Sequence, residues 1–470
     1  MANNFKRSRL GIFGYVPEVT QGKKNFYFEA TGGSTTTLVV TDLASVGFDN
    51  ENLTDTPTDF FKGLQLYGVT GANAGKILDI TSQSYSAGVP NTITFTFATT
   101  SAVVAGNTFY LLGRLPASNV SITSGKENLT REEFVRPSLD RPSSLKGLST
   151  VSGSFDMELC GHATGTDAST VALPVDAYSA FFSGIGTRAA SGGDTVSSGA
   201  SSSVFDVTNG ARFEIGDFIM VNNEVAKITN KASNTLTVAP AFSATPAGSD
   251  VVYGAEYYTP DDTGHRSFTF VHLADDQLWT YSGCVYSLSF SGDFGALTSA
   301  SVEFTGEDYS VDTASVTGFS FDNPSPTTVP FVTGRATVND GSSDISLYIG
   351  SVEFDYGNGI ELTRDTNENQ QAFIITREST LGASLRDRNE SAFAFKNQST
   401  GIEALGTKLT TTVQVGNVAT KCVGVHGKTQ FQDPASMSDR NGINYYDVNL
   451  WFCDDSTDVI NPTKPVFFRF

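Results

Sequence analysis

Along most of the chain, apolar and polar residues alternate one by one. This is the pattern of antiparallel strands with one face on a core and one in water. Cys284, Tyr286, Leu288 and Phe290 fall on one face of such a run, with Ser287 and Ser289 on the other. Val352, Phe354 and Tyr356 repeat it, as do Tyr446, Val448, Leu450 and Phe452. Asn209-Gly210, Asn358-Gly359 and Asn441-Gly442 offer the positive φ that tight hairpins need. Two segments depart from the period of two. Val175, Tyr178, Phe181, Phe182 and Ile185 recur at helical spacing within 174–185. Asp387 and Glu390 form a capping-box arrangement ahead of Ala392 and Phe395 within 387–397. The pattern predicts an all-β protein with two amphipathic helices of about three turns each.

The order of these elements repeats. Asn91-Thr-Ile-Thr-Phe95 followed by Ala102-Val-Val-Ala-Gly-Asn-Thr-Phe-Tyr110 is answered by Asn234-Thr-Leu-Thr-Val238 and Ala244-Thr-Pro-Ala-Gly-Ser-Asp-Val-Val252. Each copy reads as a small module of about five short strands, flanked by Ser/Thr/Gly-rich stretches. A larger and fainter repeat pairs Val120-Ser-Ile-Thr-Ser-Gly125 with Val352-Glu-Phe-Asp-Tyr-Gly357, and Gly283-Cys-Val285 with Lys421-Cys-Val423. In both halves the order is strand pair, helix, strand pair. The expected division is an arm at 1–36, a small β module at 37–113, a first fold unit at 114–190 and 256–307, a second module at 191–255, and a second fold unit at 308–470.

Composition narrows the function. Only 17% of the 470 residues are charged, against about 25% in a typical soluble domain. Within that set 30 Lys+Arg face 50 Asp+Glu, a net charge of −20. Tight binding to nucleic acid needs clustered cations on phosphates, and no such cluster exists. No run of 18 apolar residues is present, so no membrane-spanning helix is expected. The start carries Lys6, Arg7 and Arg9 without an apolar segment, which argues against a secretory signal. Four Cys with no C-x-x-C fit synthesis in a reducing compartment.

Catalytic constellations are missing, so no enzyme, cofactor or metal is expected. His162, His265, His272 and His426 are far apart, and Cys160-Gly-His162 is the most closely spaced Cys/His pair. Two ligands without two more make a poor metal site, and His272, alternating with Phe268 and Phe270, reads as a core or interface residue. Asp365-Thr-Asn367-Glu-Asn369 opens like a calcium loop but has Gln370 where Gly is required. Asp261-Asp262 and Asp275-Asp276 read as solvated turns.

One segment stands apart: Arg131-Glu-Glu-Phe-Val-Arg136-Pro-Ser-Leu-Asp140-Arg141-Pro gathers three Arg and three acids around two Pro in a charge-poor chain. Arg131, Arg136, Asp140 and Arg141 are candidate inter-subunit contacts, because guanidinium groups hold carboxylates bidentately.

Four stretches, in order, resemble tail tube proteins of long-tailed bacteriophages: Leu10-Gly-Ile-Phe-Gly-Tyr-Val-Pro-Glu18; residues 121–158 with Gly147-Leu-Ser-Thr-Val-Ser-Gly-Ser-Phe155; Arg266-Ser-Phe-Thr-Phe270 through Ala296-Leu-Thr-Ser-Ala-Ser-Val-Glu-Phe304; and residues 351–369. The resemblance covers roughly two thirds of the chain outside the two modules. It implies two copies of a tail-tube β-sandwich with one flanking helix each, plus two small inserted β-barrel modules. It implies a structural virion protein, assembled in the host bacterial cytoplasm, whose rings stack into the tube that conducts DNA. A duplicated fold implies homotrimeric, pseudo-hexameric rings, with a homohexamer as the alternative, and an arm that contacts the next ring. The implied partners are further copies of the chain, a tape measure protein, and tail terminator or tail-tip proteins, with DNA passing without specific binding and no membrane. A capsid decoration or tail-fibre adhesin is the alternative function.

Overall fold

The computed structural model describes residues 12–19, 21–22, 27–41, 57–87, 91–98, 100–129, 145–162, 175–176, 178–261, 265–274, 277–312, 328–339, 344–364, 370–386, 408–433, 436–440, 443–453 and 464–470. The protein is all-β, with one short α-helix among the described residues.

The chain opens on β1 (Ile12–Pro17) and then builds a first barrel from β2 (Tyr27–Glu29), β3 (Gly32–Gly33), β4 (Thr37–Thr41), β5 (Gln65–Gly68), β6 (Ile77–Ser86), β7 (Thr92–Phe97) and β8 (Thr108–Arg114). Next come β9 (Ala117–Leu129), β10 (Leu145–Glu158), α1 (Ser179–Phe182) and β11 (Thr187–Ala190). A second barrel follows: β12 (Asp194–Gly199), β13 (Val204–Val207), β14 (Phe218–Val221), β15 (Glu224–Ala232), β16 (Thr235–Ala239) and β17 (Val251–Gly254). The first unit closes with β18 (Glu256–Thr259), β19 (Phe268–Ala274), β20 (Gln277–Asp293), β21 (Ser299–Gly306) and β22 (Asp308–Asp312). The second unit contains β23 (Gly334–Asn339), β24 (Asp344–Leu347), β25 (Ile349–Asp355), β26 (Asn358–Arg364), β27 (Gln370–Arg377), β28 (Thr380–Arg386), β29 (Leu409–Val418), β30 (Lys421–Phe431), β31 (Ser436–Arg440), β32 (Ile443–Phe452) and β33 (Val466–Arg469).

The two units share one strand order. The first runs β8–β1–β19–β20–β21–β10–β9, with β22 continuing β21 along the edge of β20 opposite β19. The second runs β24–β23–β29–β30–β32–β28–β25, with β33 beside β32 on the edge of β30 opposite β29. Corresponding strands also follow one another in the same chain order. Matching cross-strand rows set the alignment. Ile122, Gly153, Phe304 and Tyr286 face one another across four strands, as do Phe354, Leu381, Leu450 and Phe431. This alignment pairs Ile122 with Phe354, in the register of the Val120/Val352 match, but separates Cys284 from Cys422. Cys284 lies eight residues past its hairpin turn and Cys422 two, so the Cys-Val likeness is unrelated to the repeat.

The barrels repeat each other too. The second closes in the cyclic order β12–β13–β16–β15–β14–β17. In the first, β2 pairs β8 and its continuation β3 pairs β4, and the ring completes through β7, β6 and β5. Both are inserted into hairpins of the first unit. The second fills the loop of β11–β18, where Ala190 faces Glu256; the first separates β1 from its partner β8. In the second barrel Ile219 and Val221 point into the barrel's own core. Phe218 and Met220 point outward onto Cys422, Val466, Phe468 and Phe470. This explains why β14 is apolar at every position. Gln414 clamps the contact, accepting from Val225 N at 3.0 Å and donating to Asn223 O at 2.9 Å.

Several expectations are corrected. The described part of residues 1–36 is more than an arm. β1 lies between β19 and β8, and Tyr15 and Val16 are fully buried. The first barrel begins at Tyr27 rather than 37, and β22, beyond 307, completes the first unit as β33 completes the second. The helix expected over 174–185 shrinks to the single turn α1, with Asp176 Oδ1 accepting from Tyr178 N and Ser179 N at its start. Its aromatic residues instead follow tertiary contacts: Phe181 stacks on Tyr286 at 4.9 Å and Phe182 meets Phe467 at 5.2 Å. The helix expected at 387–397 lies outside the described residues. Asn209-Gly210 opens a 3-10 turn and Asn358-Gly359 begins β26, so neither is a hairpin turn. Asn441-Gly442 is outside the described residues. The β14–β15 hairpin instead uses Asn222 and Asn223, both at positive φ.

Candidate functional site

Eight strands join into one continuous antiparallel sheet: β9–β10–β21–β20 from the first unit, then β25–β28–β32–β31 from the second. The joint is β20–β25, in which Ser289 faces Asp355, Phe290 faces Phe354 and Asp293 faces Ser351. Successive side chains point to opposite faces. Phe155, Val302, Leu288, Phe290, Phe354 and Leu450 fill the core side. The other side is water-facing and built from hydroxyls and carboxylates. Asp156, Glu158, Asp293, Glu303, Glu353, Asp355 and Asp447 share it with Ser152, Ser154, Ser289, Ser291, Ser299 and Ser301. Among the described residues of these strands, two cationic positions fall on that face by register, Arg386 on β28 and Arg440 on β31. Shallow concavities cross it, one lined by Asp293, Ser351, Glu353 and Asp447 over the joint, another by Ser121, Ser154, Ser287 and Glu303. A surface of this kind repels polyanions and offers them no fixed contact.

The structure also holds buried charge that the sequence reading overlooked. Arg469, wholly buried, donates from Nε to Glu256 Oε2 at 2.6 Å and from Nη2 to Asp176 Oδ1 at 2.6 Å and Ser179 Oγ at 3.1 Å. Arg188 also bonds Glu256. Burial alone would raise the Glu256 carboxyl, but the Arg469 and Arg188 guanidiniums hold it below its usual range. His162 Nε2 stands 3.7 Å from Asp176 Oδ2. His162, Asp176 and Glu256 thus bring three potential ligand atoms within 4.8 Å of one another. Arg469 and Arg188 together already balance the two carboxylates, and their positive charge opposes a metal ion at that point. The network ties α1, β18 and β33 together across the two units. Cys160 is sealed nearby, its thiol pushed up to about 12 by burial.

Glu18 is the second such group. Its carboxylate accepts from Gly22 N (2.7 Å), Ser267 Oγ (2.7 Å), Thr269 Oγ1 (2.7 Å) and Gly283 N (2.9 Å). Gly283 holds φ +65 there, and a Cβ would strike Glu307. Glu307 receives Ala372 N from the β26–β27 hairpin, and its backbone O accepts from Gln370. Burial, then the nearby Glu18, raise Glu307 from 4.5 to about 7. The protonated form therefore suits the fold. Its stabilisation is full below about pH 4.5 and is lost as pH rises through about 7. The difference corresponds to about 3 kcal/mol, reduced by solvent screening to about 1–2 kcal/mol. Unfolding free energy should fall by that amount between pH 5 and 8, and Glu307→Gln should flatten the fall. Urea titrations at the two pH values test this; an equal slope in the variant refutes it.

The sequence-derived candidates Arg131, Arg136, Asp140 and Arg141 lie outside the described residues, as do Asp262, Asp275, Asp276 and the 365–369 loop. Of the other histidines, His272 is half-buried and lowered by burial, His265 accepts from Ile374 N, and His426 pairs with Thr412. A lone charge in an apolar run, as in Val466-Phe-Phe-Arg-Phe470, was the available signal for Arg469. Comparison with protein-family models and with curated proteins returns no match.

Proposed function

We propose that the chain is a wall subunit of a phage tail tube, with three copies per ring, rings stacked end to end, and DNA passing through the lumen. The observation that carries this reading is the eight-strand sheet: two repeat-related halves, one apolar face on the cores, and one face of Ser, Asp and Glu. A DNA conduit must not bind its cargo. Each neutralised phosphate would add an electrostatic contact, whereas a carboxylate-lined wall pushes the duplex away within a Debye length of about 8–10 Å. The tape measure and tail terminator or tail-tip proteins are the partners this function calls for, and the virion tail is its location.

Negative-stain microscopy of the purified protein at rising concentration tests the proposal. The expected result is rings and short tubes with an axial channel. Persistent monomers at all concentrations would overturn it.

A further inference from the structure

We infer that the edge of β31 pairs with the edge of β9 of a second copy of this chain, in the register that β20 and β25 adopt within one chain. The inference rests on the ring-forming reading above and adds to it the strands and the register.

The repeat alignment carries the argument. A second matching row runs Phe290–Ala300–Met157–Ala117 in the first unit and Met437–Tyr446–Leu385–Ile349 in the second. Phe290 therefore corresponds to Met437. The other row makes Phe354 correspond to Ile122. Within the chain, Phe290 faces Phe354 across the joint, their rings 5.3 Å apart and both buried, at 1% and 0% exposure. Repeating that joint between chains places Met437 against Ile122 of the partner subunit. It also places Ser436 against Thr123 of the partner subunit and Ser438 against Ser121 of the partner subunit.

The present state of both edges fits such a contact. Among the described residues, β9 has β10 as its strand neighbour and β31 has β32. Met437 is 63% exposed, whereas its counterpart Phe290 is covered. The Ser438 hydroxyl is enclosed yet has no hydrogen-bond partner among the described residues. Open edges invite pairing, and a defined register selects one mate. Because β9 and β31 are unlike, the contact is head-to-tail and closes only as a ring.

Ile122→Cys and Met437→Cys, made in separate chains on a Cys453→Ser background and co-expressed, test the pairing. The other three cysteines are buried. Directly opposed Cβ atoms lie about 4.5–5.5 Å apart, so mild oxidation should give a cross-linked dimer from the mixture and none from either variant alone. Met437→Cys with Ser124→Cys, two residues along the same face, should give about tenfold less, since the shift is about 7 Å. Two results would overturn the pairing while leaving the tube intact: rings in micrographs without the cross-link, or equal yield from the shifted pair. Absence of any assembly would remove the ring reading and the pairing with it.

Discussion

Arg469→Met should destabilise the protein by about 3–5 kcal/mol, the largest effect expected of any single substitution outside the aromatic core. Arg469 is fully buried, and its guanidinium bonds Glu256, Asp176, Ser179 and, at 3.4 Å, Gly161 O. It also lies over the Phe182 ring at 5.1 Å. Met replaces the packing but not the charge, leaving Asp176 beside His162 and Glu256 beside the half-buried Arg188. Both carboxyls would then favour protonation, so the loss should be greater at pH 8 than at pH 5. Adding Asp176→Asn and Glu256→Gln should recover most of it, because apolar or neutral replacement of a whole buried network is far cheaper than removal of one partner. Denaturant midpoints of the single and triple variants at both pH values decide the matter. A single variant as stable as the parent would show that the network contributes nothing to holding the units together.

The second large effect is functional. If the proposed conduit role is right, replacing Asp293, Glu303 and Glu353 with Lys should turn the acidic face into one that holds DNA. All three are exposed on the polar face and clear of the core, so the fold should tolerate the change within about 0.5 kcal/mol each. Repetition around a ring would set many ammonium groups around the duplex. With 6–10 phosphate contacts, affinity should fall about 10³–10⁵-fold between 50 and 200 mM salt. Retention of a short duplex by assembled tubes, measured at both salt concentrations, is the readout. Parent tubes that hold DNA as firmly as the variant would sink the conduit proposal.

Much of the fold was legible because a half-buried strand writes its two faces into adjacent residues. Tyr286, Leu288 and Phe290 are buried as the alternation requires, and the Val120/Val352 likeness falls in true register. What was illegible depends on distant partners. β1 looks like a short apolar run beside a basic start, and only β19, some 250 residues later, makes it central. The 174–185 segment copies a helical period because Phe181 and Phe182 must reach Tyr286 and Phe467, while Gly184 and Gly186 let the chain pass close to Tyr286 and to the Thr259 backbone. Arg469 alternates with Phe468 and would be placed in water by pattern alone. Its partners Asp176 and Glu256 lie more than 200 positions away. The acidic face was foreshadowed by a charge of −20, but its location on one sheet surface needed the strand pairing.

The place where the second barrel joins has an architectural consequence. Ala190 and Glu256 are directly opposed partners, so the chain departs and returns within about 5 Å. Any folded domain whose two ends meet can be spliced there without altering strand order in the eight-strand sheet, provided that it re-covers Phe468 and Phe470. The β11–β18 hairpin is in effect a docking port. Through it the chain can exchange one inserted domain for another, by recombination or by design, while the sheet of the two units stays unchanged.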